Sequence, residues 1–307
     1  MIVKEITEDK INLLAPAKIN LFLEVLNKRE DGFHNINSLF QAISLYDELE
    51  ISIIEKPVIN LTIKNNSEKL PIEDNIISKA FNLIQSKFNL INGINVILTK
   101  KIPISAGLGG GSADAATTIL ACNILFKLGL DYSDMVELSA LIGSDLPFFF
   151  SSGQTIVTGR GEILKDMKLP LDYELILVKP SFPIATSKAY RWLKRGLTNS
   201  KVPFSLQHCS SFEDLIEALK SSGNDFEEKC FEVFPDLERL KEKLYNKGAK
   251  LVRMSGSGPT MFGIFDKTSL IVHPDILERG DWQVFEAKPI TLAKLTYNRM
   301  GGTRGDH

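Results

Sequence analysis

Four glycines fall within five positions, Gly107, Gly109, Gly110 and Gly111, in the run Lys101-Ile-Pro-Ile-Ser-Ala-Gly-Leu-Gly-Gly-Gly-Ser-Ala-Asp-Ala-Ala116. Glycine admits left-handed backbone angles, so such a turn can aim several N–H groups at one point. A helix that starts there adds its free first-turn amides and the positive end of its dipole. That combination binds phosphate. The same glycines could instead only connect a strand to a helix, although each loses extra backbone entropy on folding and a plain connection needs fewer of them. A Walker-type loop requires lysine directly before the serine, where this chain has Gly111. A dinucleotide-binding loop fits poorly, because the third glycine is missing and residues 134–142 read as a further helix where a strand ending in an acid is needed.

Other side chains capable of chemistry are spread along the chain. Lys18 and Asn20 lie two apart, so on a strand they face one side while Ile19, Leu21 and Leu23 face the other. A lysine there is either a solvated or snorkelling residue or a cation placed in a cleft. In Arg29-Glu-Asp-Gly-Phe-His34 the Asp-Gly pair marks a turn. Phe33 and His34 then supply an aromatic face and a ring nitrogen suited to a planar base, or a core ring and a structural hydrogen-bonder. Asp145 stands between a helix end and Pro147-Phe-Phe-Phe150. A carboxylate held against that apolar wall would be less solvated and more basic, which suits a group that orients or deprotonates a hydroxyl. A turn or capping role is the plain alternative. The loop Ser255-Gly-Ser-Gly258 is a simple turn or a place for another backbone or a phosphate to approach.

The elements that carry these groups follow from periodicity and punctuation. Residues 93–99 are short, apolar and β-branched and read as the strand leading into the glycine loop. Residues 112–128 read as the helix leaving it, with Ser112 as cap, Asp114 in the first turn and Gly129 as the stop. Residues 11–26 read as two strands broken near Pro16. Strands at 48–54 and 58–63 and an amphipathic helix at 75–88 come next. A bent strand pair covers 155–163, and residues 173–180 open the second half as a strand. Thr186 or Ser187 then caps a helix expected to run to Leu197. Residues 211–246 read as helical with a break at Gly223-Asn-Asp225, and 251–265 as strand, loop and apolar segment. The polar, basic tail after Ala293 is expected to be poorly ordered.

With 307 residues, 44% hydrophobic and 24% charged, the chain can bury a core of one large or two medium domains. A formal net charge of −2 without a long basic run argues against nucleic acid as a partner. Cys122, Cys209 and Cys230 lack metal-ligand spacing and read as free thiols in a reducing compartment. The absence of a membrane-length apolar run and of a signal or transit pattern at Met1 makes a cytoplasmic, membrane-free protein the expectation.

Together these stretches carry a resemblance that none carries alone. Pro103-Ile-Ser-Ala-Gly-Leu-Gly-Gly-Gly-Ser-Ala-Asp-Ala-Ala116 resembles the phosphate loop of the GHMP kinase superfamily. Ala15-Pro-Ala-Lys-Ile-Asn-Leu21 resembles its N-terminal motif and Ser255-Gly-Ser-Gly-Pro-Thr260 its C-terminal one, in the expected order over nearly the whole chain. Within the superfamily, the triple glycine, Asp31-Gly-Phe-His34 and Gly143-Ser-Asp-Leu-Pro-Phe-Phe149 resemble the members that phosphorylate a CDP-linked methylerythritol in non-mevalonate isoprenoid synthesis. The resemblance implies an α+β fold of two domains with the site between them. Residues 1–168 would resemble ribosomal protein S5 domain 2, with a left-handed βαβ crossover, and residues 169–307 would be ferredoxin-like.

The resemblance also implies roles. ATP with Mg²⁺ would sit on Pro103, Gly107, Leu108, Gly109, Gly110, Gly111 and Ser112, with Ser112 as the protein oxygen nearest the metal. Asp145 would accept or orient the substrate hydroxyl, and Lys18 would keep it ionised and counter charge on the transferring group. Asn20 would support that pair or the substrate. Phe33, His34 and Tyr190 would hold the cytosine, and Thr186, Gly256 and Ser257 would line the substrate side. The partner is then a small molecule, and the chain a monomer or weak homodimer. Family members commonly carry proline at the position of Glu30, tyrosine at Phe33 and alanine at Ser144; phenylalanine keeps the stacking face and loses a hydroxyl. A mevalonate- or homoserine-type kinase, a diphosphomevalonate decarboxylase and a non-catalytic binding module are the alternatives. The first gives Phe33-His34 no base to face, the second is expected to lack the triple glycine, and the third to have lost Lys18 or Asp145.

Overall fold

The computed structural model describes residues 1–65, 74–193, 206, 209–267, 281–292, 296–298 and 302–304. Strands β1 (Ile2–Ile6), β2 (Lys10–Lys28), β3 (His34–Ile54), β4 (Ile59–Lys64), β5 (Gly93–Thr99), β6 (Gln154–Gly159) and β7 (Ile163–Asp166) form one sheet. Its main order is β1-β2-β3-β5-β4, with β6 also on β3 and β7 on β6. The long β3 has two partners along one edge. Ile36–Gln41 pairs with β6, and Glu48–Ile54 pairs with β5. Only β4 and β5 run parallel, and helix α1 (Ile76–Phe88) joins them as a βαβ crossover. Asn75 caps α1 by accepting from the Ile77 amide at 2.9 Å. Helices α2 (Gly110–Leu125) and α3 (Tyr132–Ala140) complete this half, followed by a 3₁₀ turn over Pro147–Phe150. Helices α1 and α2 bury Phe81, Ile84, Ile119 and Leu120 in the same core as Leu49, Ile51 and Val96 of the sheet.

The expected break at Pro16 does not occur. Strand β2 runs through it, and a register shift against β3 between Pro16 and Ala17 accommodates a residue with no N–H to donate. A second shift between Asn20 and Phe22 adds an extra residue at Leu21. It overturns the simple alternation. Ile19 and Leu21 share one core, while Leu23 turns to the side of Lys18 and Asn20.

Helix α2 begins two residues earlier than expected. Gly109, at φ +69°, is its cap, so Ser112 lies inside the first turn and Asp114 in the second. It ends at Leu125, short of the expected Leu128.

The second half contributes β8 (Tyr173–Lys179), α4 (Thr186–Trp192), α5 (Phe212–Lys220), α6 (Glu227–Val233), α7 (Pro235–Asn246), β9 (Leu251–Met254), β10 (Met261–Asp266) and β11 (Gln283–Ala287). The four strands pair antiparallel in the order β11-β8-β10-β9, a ferredoxin-like arrangement. Helix α4 is capped at Ala185, not at Thr186 or Ser187, and ends at Trp192, well before Leu197, which lies outside the described residues. The break expected at Gly223 is present, and Pro235 adds a second by starting a new helix. In the tail, β12 (Thr296–Asn298) pairs with β13 (Gly302–Arg304), a ladder where a poorly ordered end was expected. Cys122 and Cys230 are buried free thiols, each pushed up to about 12 by burial. No helix among the described residues is long and apolar enough to cross a membrane.

The two sheets are fastened by polar contacts that meet at β2. The Leu23 amide donates to the Gly223 carbonyl and the Asp225 amide to the Leu23 carbonyl, both at 2.9 Å. The Val25 amide donates to Asp225 Oδ2 at 2.8 Å. Arg253 is buried between them. Its Nη1 donates to the Leu21 carbonyl at 2.5 Å, and its Nη2 to the carbonyls of Leu219 and Ser222. Burial lowers its pKa to about 10, which leaves it charged at neutral pH. Replacing it strands several buried carbonyls at once. Arg253→Met should therefore destabilise the chain by about 3 kcal/mol or more, read as a lowered urea midpoint.

Candidate active site

A cavity of about 460 Å³ opens between the glycine loop, β2 and the second half of the chain. Gly107 and Gly109 take φ of +75° and +69°, which glycine adopts without strain. Both also sit too close to neighbours for a side chain. A Cβ on Gly107 would lie 2.1 Å from the Ser255 carbonyl oxygen, and one on Gly109 2.9 Å from Lys18 Cγ. The first intrahelical bond runs from the Ala113 amide to the Gly109 carbonyl at 2.9 Å. The amides of Gly110, Gly111 and Ser112 precede it, at the positive end of the helix, and all three residues line the cavity. Leu108 closes the loop onto β2, its carbonyl accepting from the Lys18 amide at 2.9 Å. Pro103 also lines this side.

Lys18 is the centre of the polar arrangement. Its side chain is 4% exposed, yet its ammonium stands 2.7 Å from Asn20 Oδ1 and 3.4 Å from Asp145 Oδ2, and 4.5 Å from the centroid of the Phe40 ring. Asn20 is held in turn: its Nδ2 donates to Ser38 Oγ at 2.9 Å, and that hydroxyl donates to the Phe22 carbonyl at 2.5 Å. This chain fixes the amide so that its oxygen faces Lys18. Asp145, on the turn between α3 and the 3₁₀ segment, is 36% exposed on its side chain. Phe40 lies under the Lys18 ammonium, and Phe149 packs against Gly109.

On the opposite side, Thr186 Oγ1 and Ser257 Oγ lie 3.0 Å apart, and Thr186, Tyr190, Gly256 and Ser257 all line the cavity. Phe33 and His34 are not in its lining. His34 stacks on Tyr190, with ring centroids 5.2 Å apart and planes at 27°, while Phe33 is 51% exposed. Burial, with a smaller contribution from the positive charge of Lys28, lowers the His34 pKa below its ordinary 6.5, so the ring is neutral at pH 7. Burial, then the nearby charge of Asp145, pushes the Tyr190 phenol up to about 12.

Two supports were not found by reading the sequence. The first lies under the glycine loop. Asp47, fully buried in β3, accepts from the amides of Lys101 and Ile102 at 2.6 and 2.9 Å through Oδ1. Its Oδ2 takes Lys100 Nζ at 2.5 Å, and the same ammonium reaches Asp114 Oδ2 of α2 at 3.0 Å. The cluster thereby ties β3, the chain leaving β5 and α2 together around the loop. Burial and the adjacent Asp47 raise Asp114 well above the usual carboxylate range. Burial alone would lower Lys100, but the two carboxylates outweigh it and raise its pKa. An aspartate inside an apolar strand was the available signal, because strands disfavour it and a buried carboxylate needs partners. The second support is Asn224. Its Nδ2 donates to the carbonyls of Met254 and Gly256 at 2.7 and 2.8 Å and so shapes the 255–258 loop, and Ser255 Oγ donates to the Gly107 carbonyl at 2.8 Å.

A cradle of helix-start amides facing a carboxylate and a buried ammonium across one cavity is equipped to hold a polyphosphate beside an alcohol. Comparison with known proteins agrees with that chemistry. Residues 75–153 match the model of the GHMP kinases N terminal domain and residues 189–271 that of the GHMP kinases C terminal domain. The chain is 39% identical over 266 residues to a 4-diphosphocytidyl-2-C-methyl-D-erythritol kinase of Caldanaerobacter subterraneus, covering 86% of this chain and 91% of the relative. It is 42% identical over 257 residues to the protein of that name from Thermodesulfovibrio yellowstonii, covering 81% and 88%. A crystal structure of 4-(cytidine 5′-diphospho)-2C-methyl-D-erythritol kinase superposes with a TM-score of 0.71 at 28% identity, over 91% of this chain and 99% of the other. The chain belongs to the 4-diphosphocytidyl-2-C-methyl-D-erythritol kinase family of the GHMP kinases.

Proposed function

We propose that this chain transfers the γ-phosphoryl group of ATP to the 2-hydroxyl of 4-diphosphocytidyl-2-C-methyl-D-erythritol, in the non-mevalonate route to isoprenoid precursors. The observation that carries the reading is the 3.4 Å approach of Lys18 and Asp145 in the same cavity as the glycine loop. A phosphoryl acceptor needs a carboxylate to take or orient its proton, and the departing group needs positive charge nearby. Both stand within one ion pair.

In this mechanism the amides of Gly107, Leu108, Gly109, Gly110, Gly111 and Ser112, with Pro103 at the edge, surround the ATP phosphates. Ser112 Oγ would be the protein oxygen nearest the magnesium ion carried with the nucleotide. A serine hydroxyl beside helix-start amides in the cavity lining is a hard oxygen donor of the kind such an ion takes. Bound there, the ion supplies charge neutralisation on the phosphates. Asp145 accepts the proton of the 2-hydroxyl as its oxygen bonds to the γ-phosphorus. The bond from that phosphorus to the β-bridging oxygen breaks, and ADP leaves. Lys18, fixed by Asn20, pairs with Asp145 and faces the charge spread over the transferring oxygens. Phe33 and Tyr190 take the two faces of the cytosine and His34 its polar edge. The His34 ring covers a face of Tyr190, with centroids 5.2 Å apart, so it moves aside to the edge when the base takes that face. Thr186, Gly256 and Ser257 line the methylerythritol side.

Incubation with Mg²⁺-ATP and the CDP-linked alcohol should release ADP, while mevalonate and homoserine as acceptors should give none. Absence of release with the CDP-linked alcohol would overturn the proposal. Asp145→Asn should lower kcat by about a hundred- to ten-thousandfold and leave ATP affinity in titration calorimetry nearly unchanged. A Cβ on Gly111 would meet Ile76 Cγ2 at 3.6 Å, an ordinary van der Waals contact. Gly111→Ala should therefore fold normally and raise the KM for ATP, the added methyl standing where the phosphates approach. Because the neutral imidazole of His34 meets the base, the KM for the CDP-linked substrate should rise as pH falls through the histidine range, and the KM for ATP should not follow.

A further inference from the structure

Phe33 carries half the proposed base site, yet it belongs to neither hydrophobic core and is 51% exposed. Its backbone is fixed by a tight turn. The Phe33 amide donates to Asp31 Oδ1 at 3.1 Å, and its carbonyl accepts from the Arg29 amide at 2.7 Å. Its ring is held differently, by the guanidinium of Arg160, whose Cζ stands 5.4 Å from the ring centroid.

Arg160 sits on the bend between β6 and β7, and that bend packs on the turn bearing Asp145. The Arg160 Nη2 donates to the Ala140 carbonyl, the last residue of α3, at 3.2 Å. Gly161, at φ +136°, is so close that a Cβ would lie 2.5 Å from the Ser144 carbonyl oxygen, one residue before Asp145. The bend itself is braced by Glu162, whose Oε2 accepts from the Arg160 amide at 2.7 Å. One rigid bend thus touches the base-stacking ring on one side and the turn of the reacting carboxylate on the other.

We propose that Arg160 is a positioning residue for the nucleotide-linked substrate: it holds the Phe33 ring at a set distance from Asp145, so that a base stacked on that ring delivers the hydroxyl to the carboxylate. The inference rests on the reading of the substrate given above. It acts through Phe33, so its effect falls on the CDP-linked substrate and spares ATP. It also requires both properties of the guanidinium, the cationic face for the ring and the N–H for the Ala140 carbonyl.

Arg160→Met keeps most of the stem and removes the charge and the donors. Steady-state kinetics should show a KM for the CDP-linked alcohol raised roughly three- to tenfold, with the KM for ATP and the melting temperature close to those of the parent. Arg160→Lys, which keeps a cation and is too short to reach both partners, should recover part of the loss. In a Phe33→Leu background, Arg160→Met should add almost nothing to the KM, since the ring through which it acts is gone. An unchanged KM for the CDP-linked alcohol, equal rises for both substrates, or additive effects of the two substitutions would each overturn the inference. A parent chain that turns over no CDP-linked alcohol would instead overturn the functional reading on which it stands.

Discussion

A lysine ammonium buried in the middle of a sheet is the constraint around which this site is built. Removing a charge from water costs several kcal/mol unless oxygens replace the lost hydration. Lys18 meets that requirement with Asn20 on its own strand and Asp145 on a turn more than a hundred residues later. The surrounding arrangement follows from the need to keep those oxygens in place. Ser38 orients Asn20, Phe40 covers the ammonium, and the Leu108 carbonyl ties the glycine loop to the same residue's backbone. The loop and the carboxylate are therefore referenced to one point on β2, which fixes the distance between a phosphate donor and its acceptor.

The second half of the chain is part of that frame. Gly107 has no room for a side chain because the Ser255 carbonyl occupies the space, and Asn224 shapes the 255–258 loop from behind. Glycine at 107 thus answers a packing demand between two loops as well as any demand from phosphate. A bound nucleotide would touch a surface to which both halves contribute, and Arg253 and the Leu23 contacts hold those halves in register.

Much of this was legible in the amino-acid sequence. The glycine run, the strand before it and the helix after it were readable from residue type, because backbone freedom and capping are local properties. Lys18 and Asn20 were readable as a pair, since strand alternation needs only their spacing. The cluster of Asp47, Lys100 and Asp114 was not. Its members come from three elements, and nothing local says that Asp47 receives the two amides at the start of the loop. Leu23 was assigned to the wrong side because an extra residue in β2 reverses alternation, and that shift is imposed by the partner strand. Ser112 was a sound cap by type, but Gly109 already turned the chain into the helix three residues sooner. His34 and Tyr190 were expected to flank a base, and their direct stack emerges only once α4 is packed against the β2–β3 hairpin.

The divided edge of β3 has a mechanical consequence. Its first stretch is bonded to β6 and its last to β5, and the residues between meet the second half, the Ser44 amide donating to the Lys288 carbonyl and the Ala42 carbonyl accepting from the Ile290 amide, both at 2.9 Å. Among the described strands, β6 and β7 are linked to β4 and β5 through that shared strand. The bend at Arg160 and the glycine loop consequently ride on separate leaves of one sheet. Between its two bonded stretches β3 stays paired with β2 and also bonds residues 288–290 of the second half, so the seam between the leaves is clamped and the gap between acceptor and donor sites is held stiff.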